Sequence, residues 1–429
     1  MRNTCWPHVA FAILLCVSVP AEAQEPSAPE ERLVMSTLER NPGLQGQKEV
    51  IESKKKAARM AGTLPDPMAE VSLNTFQIPW VKLQDALGTG IELGFTQVLP
   101  PQSKRKAARS TAEKEIEVEL RRLRTMENEL SFQVRQAIYE YAFTFLVLEN
   151  LENNRQVLEN SVRAAEAAYA SNRGNLADIL TAQREVTRNR IRREEVAEEQ
   201  EVWLARLDGF QEQVLDRQLL LQVPFPEPQA IPPVAEWLDK VSELSPSVLA
   251  SRALEDLAES RVQEARLGHR PDFLLGAGLR IRDMSMDKDT FFALRAGMTL
   301  PFFHRRDRYQ PALESSQHQR QGAARDTQQA VLNGRTALAV SWRQAEKSLA
   351  RYRLYRDGLM LQAQLAYDSA VAAYGAQKAD FSSLMQSLVA YYDSRQEMLQ
   401  NRKEHWMGVL DAAAVLGVNP ATLRREKNQ

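Results

Sequence analysis

Phe273-Leu274-Leu275-Gly276-Ala277-Gly278-Leu279-Arg280 alternates with a period of two. In an extended chain successive side chains point to opposite sides, so Phe273, Leu275, Ala277 and Leu279 share one face, and Leu274, Gly276, Gly278 and Arg280 share the other. A little further on, Phe292, Leu294, Ala296 and Met298 oppose Ala293, Arg295, Gly297 and Thr299 in the same way. Two segments in the first half repeat the pattern, Ala69-Glu70-Val71-Ser72-Leu73-Asn74 and Gly90-Ile91-Glu92-Leu93-Gly94-Phe95-Thr96. Strands are therefore expected at about 68–76, 90–98, 272–281 and 291–300, with outward loops at about 77–89 and 282–290. An apolar face backed by small, polar or charged residues is the pattern of a transmembrane barrel strand, lipid on one side and lumen on the other. On that reading Glu70, Glu92, Arg280 and Arg295 face a lumen. The competing reading is two hairpins packed against helices in a soluble α+β domain.

Four such strands cannot close by themselves. The smallest membrane barrels have about eight strands. A sheet with open edges in hydrocarbon leaves backbone N–H and C=O groups without partners. If these strands enter lipid, several copies of the chain must complete one barrel.

The rest of the chain is helical in pattern and is written twice. The first half runs helix, Leu64-Pro65-Asp66-Pro67, two strands, Leu99-Pro100-Pro101, a long helix, a break and a helix. The second runs helix, Arg270-Pro271-Asp272, two strands, Leu300-Pro301, a long helix, a break and a helix. Each half opens on a helix-start signal, Asn41-Pro42 or Ser245-Pro246. Residues 24–222 and 234–420 are thus expected as two tandem repeats, joined by a proline-rich extended linker at 223–233 and followed by a polar tail at 421–429. The long helices, about 103–171 and 305–376, carry apolar residues in sevens. Leu130, Ala137, Leu151, Leu158 and Ala165 form one series, and Val134, Tyr141, Leu148, Val162 and Tyr169 a second, with Thr144 and Arg155 interrupting. The second helix carries Leu338, Ala345, Tyr352, Leu359, Ala366 and Ala373 beside Trp342, Leu349, Ala363 and Ala370, with Arg356 interrupting. A period of 3.5 gives a left-handed coiled-coil seam. A narrow seam between wide polar faces suits a wall one helix thick, wet on both sides. A soluble coiled-coil adaptor or scaffold would account for the helices equally well, but not for the strands.

The N-terminus reads as a secretory leader: Arg2, an apolar run from Val9 to Val19, then Ala21-Glu22-Ala23 before Gln24. Cleavage is expected after Ala23. Both cysteines, Cys5 and Cys16, lie inside residues 1–23, so the mature chain is expected to carry no disulfide, no thiolate metal site and no lipid anchor. Lys and Arg number 55 against 56 Asp and Glu, and losing Arg2 and Glu22 leaves that balance unchanged. The basic excess of a nucleic-acid binder is missing. Beyond the leader no apolar run reaches the length of about 18 residues that a membrane helix needs. Any crossing must be as a barrel.

At the end of the first long helix, Tyr169-x5-Asn175-Leu176-Ala177-Asp178-Ile179-Leu180-Thr181-Ala182-Gln183 resembles the helix–turn–helix tip of the TolC family of outer-membrane factors. The second copy, Tyr374 to Ser387, matches it in spacing but carries Ser383 in place of Asp178 and lacks the turn glycine. Gln97-Val98-Leu99-Pro100 and Thr299-Leu300-Pro301 are similar to the family's strand exits. The resemblance implies a mostly α-helical chain with a transmembrane β-barrel: a homotrimer whose three copies give a 12-strand barrel on a long periplasmic helical tube. It implies an exit duct of a tripartite efflux or type I secretion system, working with a periplasmic adaptor protein and an inner-membrane transporter. The strand borders look like those of the heavy-metal efflux members. The tips, Arg173-Gly174-Asn175-Leu176 and Lys378-Ala379-Asp380-Phe381, become the adaptor-docking candidates. Asp178, Ser383 and Gln386 become candidates for narrowing the tube end.

Catalytic signatures are not found. Beyond the leader the histidines are His269, His304, His318 and His405, with none at metal-ligand spacing. There is no phosphate-cradling glycine loop and no nucleophile elbow. Asp283-Met284-Ser285-Met286-Asp287 offers two thioethers, the donors that soft Cu(I) prefers. Two methionines in a loop do not make a metal centre, and no metal, cofactor or enzymatic activity is expected.

Overall fold

Proline sets the first two helices. The computed structural model describes residues 28–74, 90–284 and 287–423. The expected leader, the first outer loop at 77–89 and Met286 lie outside these residues. Helices α1 (Pro29–Arg40) and α2 (Pro42–Met60) each begin with proline in the first turn, where a missing N–H costs no helical hydrogen bond. Asn41 caps α2 by accepting from the Leu44 amide at 3.0 Å. The antiparallel pair β1 (Met68–Asn74) and β2 (Gly90–Leu99) follows, then α3 (Gln102–Ala170) and α4 (Leu176–Gly209). Short helices α5 (Arg217–Leu221), α6 (Ala235–Leu238) and α7 (Val241–Leu244) lead to α8 (Pro246–Leu267), β3 (Phe273–Met284) and β4 (Asp287–Met298). A 3₁₀ turn (Pro301–His304) and a π turn (Arg305–Tyr309) precede α9 (Gln310–Leu354). A second π turn (Tyr355–Leu359) leads into α10 (Met360–Gly375), and α11 (Phe381–Leu416) returns alongside α10 and α9.

The 69 residues of α3 make a rod of about 100 Å at 1.5 Å per residue. The shorter helices line up along the long ones: α2 and α4 against α3, α8 between α3 and α9, and α11 against α9 and α10. The strands form one antiparallel sheet in the order β1-β2-β3-β4, so the β2–β3 pairing joins the two halves of the chain. Strands β3 and β4 extend further toward their shared turn than expected. Residues 282–284 and 287–290, anticipated as loop, are strand. The apolar alternation stops at Ile281, but a hydrogen-bonded ladder needs only backbone, and the register sets Arg282 opposite Asp289 and Asp283 opposite Lys288.

Along α3 the first heptad series holds, with Leu130, Ala137, Leu151, Leu158 and Ala165 all buried, while the second runs from buried Val134 and Tyr141 through half-buried Leu148 and Val162 to an exposed Tyr169. The interrupting Thr144 is buried too. Its hydroxyl donates to the Tyr141 carbonyl at 2.7 Å and accepts from Gln200 at 3.1 Å. Along the second long helix the reading holds from Leu338 to Tyr352 and then fails. The π turn at Tyr355–Leu359 adds one residue to the helical count and rotates everything beyond it. Leu359 is exposed, and Tyr367 and Tyr374 join the expected Ala370 on the seam in place of Ala366 and Ala373. The interrupting Arg356 lies inside that turn, 2.6 Å from Asp357 and with its guanidinium 5.6 Å from the Tyr352 ring.

The main core sits at mid-length, where Val134, Ile138 and Phe143 of α3, Leu338 and Trp342 of α9, and Trp406 and Leu410 of α11 pack together. Here α11 and α9 meet backbone to backbone: a Cβ on Gly408 would stand 2.9 Å from the Ala345 nitrogen. A belt surrounds this core. Helix α1 is held by Arg135, 2.9 Å from Glu30 and 3.0 Å from Glu31. The proline-rich stretch at 223–233 is extended, as its composition dictates, but it is docked rather than free. Val223 and Phe225 are buried, Arg402 donates to the Pro226 carbonyl at 3.0 Å, and Tyr352 donates to Glu227 at 3.2 Å. The chain after α11 also packs. Leu423, placed by sequence in a polar tail, is fully buried at the end of a 3₁₀ turn, Pro420–Leu423.

Candidate functional surfaces: a two-faced sheet and paired helix tips

The register assigns the faces of the sheet. Glu92 of β2 stands between Ser72 of β1 and Arg280 of β3. Glu70 stands opposite Gly94, which faces Gly278, and Thr96 faces Gly276, which faces Arg295. Directly paired residues share a face, so Glu70, Glu92, Arg280 and Arg295 all lie on one side, with glycines, Ser72 and Thr96 and with the apolar Met68, Val98, Leu274 and Phe291. Arg295 is ion-paired with Glu92, whose residue is only 5 % exposed. The opposite side carries Val71, Ile91, Leu93, Phe95, Leu275, Leu279, Ile281, Phe292 and Leu294, every one of them exposed, with Leu294 at 78 % and Val71 at 69 %. Burying a side chain of this kind is worth about 1.5–3 kcal/mol. Nine of them left in water forgo on the order of 10 kcal/mol, as much as the whole stability of a typical domain. That face requires a lipid or protein covering.

At the other end of the molecule the two helical hairpins turn in the same way. Asn172 and Gln377 take positive φ, 57° and 61°. After α3, the Arg173 amide donates to the Ala168 carbonyl at 2.8 Å and the Asn172 amide to Tyr169 at 3.0 Å. After α10, Lys378 donates to Ala373 at 2.8 Å and Gln377 to Tyr374 at 3.0 Å. Both are Schellman terminations. The left-handed residue is thus not the glycine singled out by sequence: Gly174 has negative φ, which is why Ala379 can stand at its counterpart. A Cβ on Gly174 would instead meet the Ala168 methyl at 3.1 Å. The next helices are capped as well. Asn175 and Asp178 form a capping box, with the Asp178 amide 2.9 Å from Asn175 Oδ1, and Asp380 accepts from the Ser383 amide at 3.0 Å.

The tips therefore do not present a row of uncapped backbone groups. Their amides and carbonyls are answered internally, so recognition there must use side chains and shape. A groove between the tips is lined by Ala164, Ala168, Gly174, Gly375, Ala376 and Ala379, a notch of small residues. Arg173, Asn175, Leu176, Lys378 and Asp380 are exposed beside it. Phe381 is not: it is buried against Tyr374, ring centroids 5.6 Å apart. Asp178 is half-buried, and its negative charge, after burial itself, raises the Tyr374 hydroxyl above its ordinary value. Ser383 and Gln386 are exposed. Each tip keeps one carboxylate at a helix N-terminus, where the dipole favours it. One is Asp178 in the first turn and the other Asp380 at the cap, and hydrogen bonds from the Ser383 hydroxyl and amide hold Asp380 below the usual carboxylate range.

No helix among the described residues is long and apolar enough to cross a membrane. The sheet is the part with a membrane-facing pattern, and solved structures share the whole arrangement. The outer membrane protein VceC from Vibrio cholerae matches with a TM-score of 0.75 at 16 % identity, over 92 % of this chain and 100 % of that one. The open-state MtrE outer membrane channel of Neisseria gonorrhoeae matches at 0.74 and 14 %, over 94 % and 91 %. The CmeC outer membrane channel of Campylobacter jejuni matches at 0.72 and 11 %, over 100 % and 96 %. This chain has the TolC-type outer-membrane channel fold. No family model and no curated protein matches it, so the likeness is carried by the fold. With at least 92 % of the chain superposed on each of these, the TolC-type fold takes in sheet, belt and tube together.

Proposed function

We propose that the chain is one of three identical subunits of an outer-membrane exit channel, a TolC-family member serving a tripartite efflux or type I secretion system. The observation that carries this reading is the exposed apolar face of a sheet whose other face holds every charged strand residue singled out by sequence. Lipid covers the first face, and water in the pore wets the second. In the order β1-β2-β3-β4 the outer strands each keep one edge without a strand partner among the described residues. Three copies joined edge to edge satisfy both edges and give a 12-strand barrel, with the helical tube reaching through the periplasm. The matching hydrogen bonds of the two tips support an origin by tandem duplication.

The channel is passive, with no catalytic or cofactor chemistry, and the driving energy comes from an inner-membrane transporter. The tips dock the periplasmic adaptor through Arg173, Asn175, Leu176, Lys378 and Asp380 around the alanine–glycine notch, with Gly174, Ala379 and Phe381 shaping it. Asp178, Ser383 and Gln386, at the start of the returning helices, narrow the tube end, and opening is a change in helix packing there. Fractionation of cells expressing the full chain, followed by mass measurement of the detergent-solubilised protein, tests the reading. A trimer in the outer-membrane fraction is expected. A water-soluble monomer in the periplasm would overturn it and favour a coiled-coil adaptor or scaffold.

A further inference from the structure

Arg295 and Glu92 are not neighbours in the sheet. Arg295 is on β4, Glu92 is on β2, and the whole of β3 lies between them. The side chains nevertheless meet as an ion pair. The route is open because β3 and β2 carry glycine where it crosses. A Cβ on Gly276 would stand 3.6 Å from the Arg295 Cβ, one on Gly94 would stand 3.7 Å from its Nη1, and one on Gly278 would stand 3.1 Å from Glu92 Oε1. A branched side chain at any of the three would occupy the path. The pair is also lopsided: the Arg295 side chain keeps 46 % exposure while that of Glu92 keeps 7 %. Arg280, paired in register with Glu92, brings a second guanidinium to the same carboxylate's row.

We propose that Glu92 and Arg295 form an inner-face clamp, laid across β3 in a trough cut by Gly94, Gly276 and Gly278. The clamp ties β2 to β4 and determines which charge the pore presents at this level. It rests on the reading of this face as the pore lining. Glu92 lies hidden beneath arginine, so the passing solute meets guanidinium, and Glu70 on the outer strand β1 is the exposed acid of the same face. The clamp therefore acts as a selectivity element as well as a brace.

Full-length protein in planar lipid bilayers under a KCl gradient reads the charge. Glu92→Gln uncovers positive charge and shifts the zero-current potential toward chloride, and Arg295→Gln shifts it toward potassium. The dissociation temperature of the oligomer in SDS reads the brace. Each single substitution lowers it, Glu92→Gln with Arg295→Gln lowers it no further than the worse single, and Gly278→Val, which changes no charge, lowers it by blocking the trough. A conducting wild-type channel whose potentials do not move, or thermal effects that simply add, overturns the clamp alone. Wild-type protein that never conducts overturns the pore reading together with it.

Discussion

Leu294 is the most exposed large apolar residue of the sheet, and its surroundings make it diagnostic. On a face bathed in water, replacing it with arginine would be close to neutral or even favourable. On a face in hydrocarbon, arginine near the bilayer midplane costs about 2–4 kcal/mol. Leu294→Arg is therefore expected to destabilise the protein by that amount in urea titrations of folding into lipid vesicles, with little change in the helical tube. The division of Leu294 and Val71 from Glu92 and Arg280 between the two faces of the sheet was legible in the sequence because a period of two is a local property of the backbone. The Glu92–Arg295 pairing was not. It depends on which residue of β4 lies beside which residue of β3, and alternation carries no register. The positive φ of Asn172 and Gln377 was not legible either, because neither residue type announces a left-handed conformation in the sequence.

At the scale of the element, the long helices were legible for as long as one residue followed another with constant twist. The seam from Leu130 to Ala165 and that from Leu338 to Tyr352 follow the repeat of seven. Beyond Tyr355 the repeat in the sequence continues but the helix does not keep step, because the π turn takes up one extra residue. Arg356 marked the place without revealing what happens there. The turn's effect is to bring tyrosine rather than alanine to the seam: Tyr367 lies 6.3 Å from Tyr391, stacked, and Tyr391 lies edge-on to Tyr392 at 5.1 Å. Burial, with these neighbours, pushes the Tyr392 hydroxyl up to about 12. Deleting Gly358 removes the extra residue and brings Tyr367 and Tyr374 into step with the repeat of seven that runs from Leu338 to Tyr352, so α9 and α10 should run on as one α-helix with both tyrosines still on the seam. The variant is expected to melt no earlier than the parent by circular dichroism and to be cut no faster by trypsin at Arg356; a lower melting temperature would show that the π turn itself, not the extra residue, sets the packing of α10.

For the whole molecule, the combination of long helices with four alternating strands was legible in the sequence, and the solved channels share that fold from end to end. What the sequence could not convey was the docking of 223–233 onto the tube, because proline dictates an extended backbone but not where it lies; Phe225 found its place against Tyr139 and Phe143 only once α3 was built. The outer strands supply the test of assembly. A chain carrying Ala69→Cys on β1 and Ala296→Cys on β4, treated in membranes with a bifunctional maleimide, should give covalent species of two and three chains and nothing larger. Either cysteine alone should give only single chains.

The sheet's two borders differ, one formed by the first half of the chain and the other by the second. Each molecule thus offers a successor a different border from the one its predecessor used, and such head-to-tail addition has no built-in end. Whether it stops at a ring or runs on as a filament is decided by how sharply a single molecule bends its own four strands. Gly94, Gly276 and Gly278, by keeping one face of those strands small, leave room for bending toward that face, and the sharper the bend the fewer copies a closed ring would need.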